Sequence, residues 1–285
     1  MADLEAALRS VLARGGRAFV PYVTGGLAAV DADLLRGLEA AGADAIEVGI
    51  PFSDPVMDGP VIQEASRRAL VDGATPSSVL GIVKQAGLGV PVAVMTYANP
   101  VWHAGLEAFL EACVDAGVSG AIVPDLPVDE ASEWMNACTK ASVAPVFLAA
   151  PGSSEQRLRA IGEASRGFVY CVATYGVTGE RERLAPTAAE LVARLRVLTD
   201  RPLLVVLNRS EQEAAVTMPD RLTARIAELH GAGLVLSASV EAEIAGMDVA
   251  DQAAFLADLG LTESAVARFI RTAYGLLDLI SFFTV

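Results

Sequence analysis

Lysine is nearly missing from this chain. Of its 285 residues only Lys84 and Lys140 are lysines, and both fall in stretches of helical periodicity, away from the ends of the apolar runs. An enzyme that forms a Schiff base needs a desolvated lysine beside its substrate, and a solvated surface role suits these two better. Histidine is as scarce: His103 and His230 have no partner at ligand spacing, so no metal is expected. His103 follows the third apolar run and is open to a pocket-lining or a plain surface role; His230 precedes the last run, at the wrong end for a site. The three cysteines, Cys113, Cys138 and Cys171, are odd in number and lack metal-type spacing. They read as reduced core residues of a cytoplasmic protein.

Positive charge is also short. Lysine and arginine total 21 against 35 acidic residues, a formal net charge of -14, which disfavours nucleic acid and anionic membrane surfaces. Small molecules or proteins are the expected partners. No G-x-G-x-x-G follows the first apolar run, and no G-x-x-x-x-G-K-[ST] occurs anywhere, so a dinucleotide-binding open sheet is the weaker reading. The start, "MADLEAALRSVLARGG", lacks the features of a secretory signal and instead spaces Leu4, Leu8, Val11 and Leu12 along one helical face. The apolar stretch "ESAVARFIRTAYGLLDLISFFTV" is interrupted by Arg268, Arg271 and Asp278 at helical spacing, which favours a packed helix over a membrane span.

What is present is alternation. Hydrophobic residues make up 53% and charged ones 20%, as in a folded globular protein. Eight short runs rich in valine, isoleucine and aromatics recur: "RAFVPYV", "DAIEVGI", "PVAVMTY", "GAIVPD", "APVFLAA", "GFVYCVA", "PLLVVLN" and "GLVLSAS". Between them lie helical patterns such as "DADLLRGLEAAGA" and "GLEAFLEACVDAGV". Continuous apolar runs mark parallel strands covered on both faces, and each needs a crossover helix. The expected class is α/β, a closed (β/α)₈ TIM barrel with an extra N-terminal helix, in one domain over 1–285. The longest interval, between the second and third runs, carries the additional helical piece "VIQEASRRALVDG". That enlarges a loop at the carboxyl ends of the strands, where such barrels keep their chemistry.

Two carboxylates stand at that rim. Glu47, inside "AIEVGI", faces desolvation that should raise its pKa toward neutrality and make it a proton donor at pH 7. Asp58, in a turn between Met57 and Gly59, is expected to be better solvated and to stay ionised as a base or charge stabiliser. The residues alone leave a plainer alternative open, in which Glu47 accepts a hydrogen bond from a neighbouring hydroxyl or amide and Asp58 only shapes its turn.

The stretch "GADAIEVGIPFSDPVMDGPVIQEASRRAL" closely resembles the signature of the tryptophan synthase alpha subunit family. The likeness continues through "FVPYVTGG", "MTYANPV", "VPDLPVDE" and "YGVTG", over about residues 15 to 180. It implies a (β/α)₈ barrel that cleaves indole-3-glycerol phosphate to indole and glyceraldehyde 3-phosphate without a cofactor, and that hands the indole to a pyridoxal-phosphate-dependent beta subunit. By residue matching, Glu47 protonates the indole ring carbon, and Asp58 accepts the ring N–H and steadies the positive charge. Tyr22, Tyr97 and Tyr170 line the indole pocket, with core packing as the alternative for each. Thr178 and Gly179 belong to a lid loop, while Pro51, Asp54, Asn99 and Pro127 lie near the beta-subunit contact.

The second half departs from that pattern. Where the family reads close to "GFGIS" and "GSA" after its seventh and eighth strands, this chain has "VLNRS" and "SASVEAEI". Val206, Asn208 and Ser237 replace glycines that let backbone N–H groups approach a phosphate at a helix N-terminus. Glu241 and Glu243 would set negative charge near that dipole. Asn208, Arg209, Ser237 and Ala238 are therefore the substrate-binding positions in question, with Arg209 either a side-chain phosphate clamp or a solvated arginine. The lid reads "ATYGVTG", with Thr174 and Tyr175 at altered positions. Three readings follow: the alpha-type lyase, a lyase on a related and non-phosphorylated aromatic substrate, and a non-catalytic subunit that activates a beta-type partner.

Overall fold

The computed structural model describes residues 2–15, 18–172 and 186–206. These residues fall within one compact unit. The chain begins with α1 (Leu4–Ala13), and strand and helix then alternate: β1 (Tyr22–Thr24), α2 (Ala32–Ala40), β2 (Ile46–Gly49), α3 (Pro60–Val71), α4 (Pro76–Ala86), β3 (Val92–Met95), α5 (Ala98–Ala104), α6 (Leu106–Asp115) and β4 (Val118–Ile122). Next come a 3-10 turn at Val128–Glu130, α7 (Ser132–Ala141), β5 (Ala144–Val146), β6 (Leu148–Ala149), α8 (Glu155–Ala164), β7 (Val169–Val172), α9 (Pro186–Leu198) and β8 (Leu203–Val206). Every strand pairing is parallel, in the orders β1-β2-β3-β4-β5 and β6-β7-β8.

Seven of the eight apolar runs become strands, and "GLVLSAS" lies outside the described residues. Two runs differ from their expected form for local reasons. In "RAFVPYV" the strand starts only at Tyr22, because Pro21 has no N–H to give a ladder and contributes just its carbonyl, to the Glu47 N–H at 2.9 Å. In "APVFLAA" one run becomes two strands. The Phe147 N–H donates to the Ser165 hydroxyl at 3.3 Å while its carbonyl accepts from Tyr170 N–H at 3.0 Å, so the ladder is interrupted at that residue.

Side chains alternate across each strand, and this builds two cores. Ile46, Val48, Val92, Val94, Ala121, Val169 and Cys171 point outward against the helices, joined by Leu35, Val79, Phe109 and Trp134. Ala45, Ala93, Met95, Ile122, Val146 and Phe168 form the inner cluster, with Tyr22 and Tyr170 packed on it. Leu4 and Leu8 of α1 belong to this inner cluster, so the N-terminal helix closes the floor beneath the strands. Its Asp3 caps the helix by accepting the Ala6 N–H at 2.9 Å. Glu5 then fixes it, accepting from the Gly167 N–H at 3.1 Å and from the Arg201 guanidinium at 2.5 Å. Burying Leu4 contributes about 1.5 to 3 kcal/mol.

The helical faces are narrower than their leucine spacing suggests. Leu12 and Leu34 are exposed where Leu8, Val11 and Leu35 are buried. The three cysteines are buried free thiols. Lys84 and Lys140 lie on the surface, paired with Asp115 at 2.7 Å and Glu107 at 3.8 Å. Among the described residues no helix is long and apolar enough to cross a membrane.

Candidate active site

Glu47 is the polar residue of the inner face of β2, between the outward Ile46 and Val48. It stands opposite Tyr22 on one side and Ala93 on the other. It is 2% exposed, and its Oε1 is buried without a hydrogen-bond partner. Desolvation first, and then the negative charge of Asp58, pushes its pKa up to about 8. At pH 7 the side chain is a neutral acid, and its unpartnered oxygen is free to meet a ligand.

Asp58 reaches the same niche from the loop after β2. The loop is built by short-range bonds: Val56 N–H to the Asp54 carbonyl at 2.9 Å and Asp58 N–H to the Pro55 carbonyl at 3.0 Å. Gln63, one turn into α3, donates to the Asp58 carbonyl at 3.0 Å and braces it. Gly59 and Pro60 start that helix, where a missing N–H at the first position costs nothing. Asp58 is half-buried. Burial pushes its pKa up to about 6, and a hydrogen bond from the Tyr97 hydroxyl opposes the rise. The order expected from the sequence, Glu47 above Asp58, is thus the order in the structure, although Asp58 is less solvated than a free turn residue.

The three tyrosines surround this pair from different elements. Tyr97, the N-cap of α5, accepts the Met57 N–H at 2.9 Å, which sets its hydroxyl beside Asp58, whose pKa it lowers. Phe52 stacks on its ring with centroids 5.3 Å apart. Tyr22 receives a long bond from the Thr24 hydroxyl at 3.4 Å, and Tyr170 leans on Phe168 at 6.4 Å. Burial raises the pKa of all three, and Asp58 raises each further; Glu47 does the same to Tyr22 and Tyr170. The phenols are therefore neutral at pH 7. Flat apolar walls, a neutral acid and an anionic carboxylate suit an aromatic ring that offers both a basic carbon and an N–H.

Sequence reasoning missed the residues that support this arrangement. Gly49 closes β2, and a Cβ there would lie 2.2 Å from the Tyr22 hydroxyl oxygen and 2.8 Å from its Cζ. The glycine is needed so that the tyrosine can lie across the strand, and nothing local in "AIEVGI" announces it. Thr24, Phe52 and Gln63 were likewise silent.

Of the partner-face candidates, Asp54, Asn99 and Pro127 are exposed at the ends of β2, β3 and β4, whereas Pro51 is buried at the root of its loop. His103 is exposed in the last turn of α5. Thr178, Gly179, Asn208, Arg209, Ser237, Ala238 and His230 lie outside the described residues. Among the described residues no group of three or more His, Cys, Asp or Glu is placed to hold a metal ion.

Known proteins match this chain over most of its length. The family model for the tryptophan synthase alpha chain matches residues 8–242. The tryptophan synthase alpha chain of Microcystis aeruginosa is 41% identical over 224 residues, 76% of this chain and 83% of the relative. That of Thermobifida fusca is 44% identical over 202 residues, 70% and 75% of the two chains. Among solved structures, ligand-free tryptophan synthase from M. tuberculosis aligns with TM-score 0.71 at 31% identity, covering 96% of this chain and 98% of its own. The α2β2 tryptophan synthase complex of Pyrococcus furiosus aligns with TM-score 0.68 at 31% identity, covering 92% and 98%.

Proposed function

The chain belongs to the tryptophan synthase alpha chain family, and from that membership we infer that it is the carbon–carbon lyase that splits indole-3-glycerol phosphate into indole and glyceraldehyde 3-phosphate. Its fold is the α/β, (β/α)₈ barrel, and its partner is a tryptophan synthase beta chain, as in the α2β2 complex it resembles. The cytoplasm is the inferred place of work, in keeping with three free, buried thiols.

The observation that carries the site assignment is the buried Glu47 Oε1, desolvated and without a partner, facing the same niche as Asp58. Glu47 gives its proton to the ring carbon that bears the glycerol chain, which places positive charge on the ring nitrogen. Asp58 accepts the ring N–H and stabilises that charge in a site where water screens it little. As the carbon–carbon bond breaks, its electrons return to the ring, and the side-chain hydroxyl loses its proton to become the aldehyde. Glu47, by then a carboxylate, takes that proton and is restored. Protons therefore balance with no metal or cofactor. Tyr22, Tyr97 and Tyr170 hold the ring, and Thr178 and Gly179 are assigned to the lid loop by residue matching. Asn208, Arg209, Ser237 and Ala238 are assigned to substrate binding by residue matching; Asp54, Asn99 and Pro127, shaped by Pro51, meet the partner.

Indole release from indole-3-glycerol phosphate tests this reading, run with the parent, Glu47→Gln and Asp58→Asn, with and without beta chain. Removing a general acid costs about 10²- to 10⁴-fold. Both variants should fall in that range or below. Cleavage of the dephosphorylated analogue in preference to the phosphate would instead favour the altered-substrate reading that "VLNRS" and "SASVEAEI" motivate. A parent that releases no indole yet activates the beta chain would favour the non-catalytic one.

A further inference from the structure

Asp125 lies in the loop after β4, outside the acid pair, yet it is joined to Asp58 through one intermediate residue. Its Oδ1 accepts the Ala98 N–H at 2.9 Å. Ala98 is the first residue of α5, and Tyr97, at the N-cap, makes no side-chain capping bond of its own. The start of this helix therefore takes its cap from a different loop, and an acidic cap is also favoured by the helix dipole. From that anchored position the Tyr97 hydroxyl accepts the Met57 N–H at 2.9 Å, so it holds the backbone of the residue next to Asp58, and it lowers the Asp58 pKa.

We propose that Asp125 is a positioning residue for the lyase reaction: by capping α5 it holds the Tyr97 hydroxyl on the Met57 amide and so fixes the loop that presents Asp58. The proposal rests on the lyase reading only for its consequence in turnover. The titratable groups that act on or feel Asp58 are Glu47 on β2, Tyr22 on β1, Tyr97 before α5 and Tyr170 on β7. Asp125 itself acts on Tyr97. Deleting the negative charge of Asp125 would, by charge alone, lower the pKa of Asp58. Moving the Tyr97 hydroxyl, which lowers the Asp58 pKa, away from the loop would raise it. The sign therefore separates positioning from a distant charge effect.

The test is titration of the Asp58 carboxyl by 13C NMR in the full chain, beside the pH profile of kcat/KM for indole release. Tyr97→Phe and Asp125→Ala should each raise the Asp58 titration, and the acid limb of the profile, by about one pH unit. The double variant should move no further than Tyr97→Phe, since both changes break one path. Asp125→Asn, whose amide oxygen still accepts the Ala98 N–H, should stay near the parent. If Asp125→Ala melts below the assay temperature, Asp125→Ser replaces it with the same expectation. An unmoved or lowered Asp58 titration, or additive shifts in the double variant, overturns the proposal. Because the NMR arm needs no substrate, shifts as expected in a protein that releases no indole would sink the lyase reading alone. Normal indole release with an unmoved Asp58 would sink the positioning role alone.

Discussion

Glu47 illustrates how a reactive residue weakens the structure that holds it. Its folded pKa, about 8, lies well above the value of a free glutamic acid. Between those values the folded chain keeps a proton that the unfolded chain has lost. The stability from this linkage is complete below about pH 4 and is lost as pH rises through 8. Glu47→Gln cannot ionise, so it should match the parent's melting temperature near pH 4 and exceed it by several degrees at pH 8.5, while its turnover collapses. Equal melting curves at both pH values would show that the carboxyl is hydrated. Gly49 makes the opposite case, a residue without a side chain that decides where one goes. Gly49→Ala places a methyl 2.2 Å from the Tyr22 hydroxyl oxygen. Overpacking of this kind costs about 1 to 3 kcal/mol. The expected result is a lower denaturation midpoint with a kcat/KM reduced at least tenfold, partly recovered in Gly49→Ala with Tyr22→Phe, which removes the nearest atom.

At the scale of elements, the sequence located strands better than it bounded them. The apolar run "DAIEVGI" contains β2 with little to spare, because both faces of that strand are buried and the run and the strand coincide. "APVFLAA" reads as one strand and is two, since its interruption comes from Ser165, a residue 18 positions from Phe147. Ser165→Ala would leave the buried Phe147 N–H without its acceptor, at a cost of about 1 to 3 kcal/mol. Urea unfolding should show that loss with the slope unchanged and with indole release at 25 °C largely retained. A neutral outcome would mean that the ladder closes over the break. Helix α5 makes the same point, as its start is settled by Asp125 from another loop and no local cap in "TYANPV" announces it.

For the whole molecule, burial pushes both carboxyls of the pair up, Asp58 to about 6 and Glu47 to about 8. Activity needs the first ionised and the second protonated. The profile of kcat/KM should therefore be bell-shaped, rising near pH 6 and falling near pH 8. Global stability should run the other way and decline over much of that window, because both pKa values are raised on folding. Activity that continues to climb above pH 9 would exclude Glu47 as the acid.

The sequence by itself determined the alternation of parallel strands and helices, the burial of one carboxylate and the placement of a second in the following loop. Those features follow from hydrophobic period and from proline and glycine in the turn, which act within a few residues. Only the tertiary structure decided that the Glu47 Oε1 is buried without a partner, that Gly49 makes way for Tyr22, and that Tyr97 holds the Met57 amide next to Asp58 while Asp125 caps its helix. Desolvation and close approach depend on what packs against a group from elsewhere in the chain, and no local pattern carries that information.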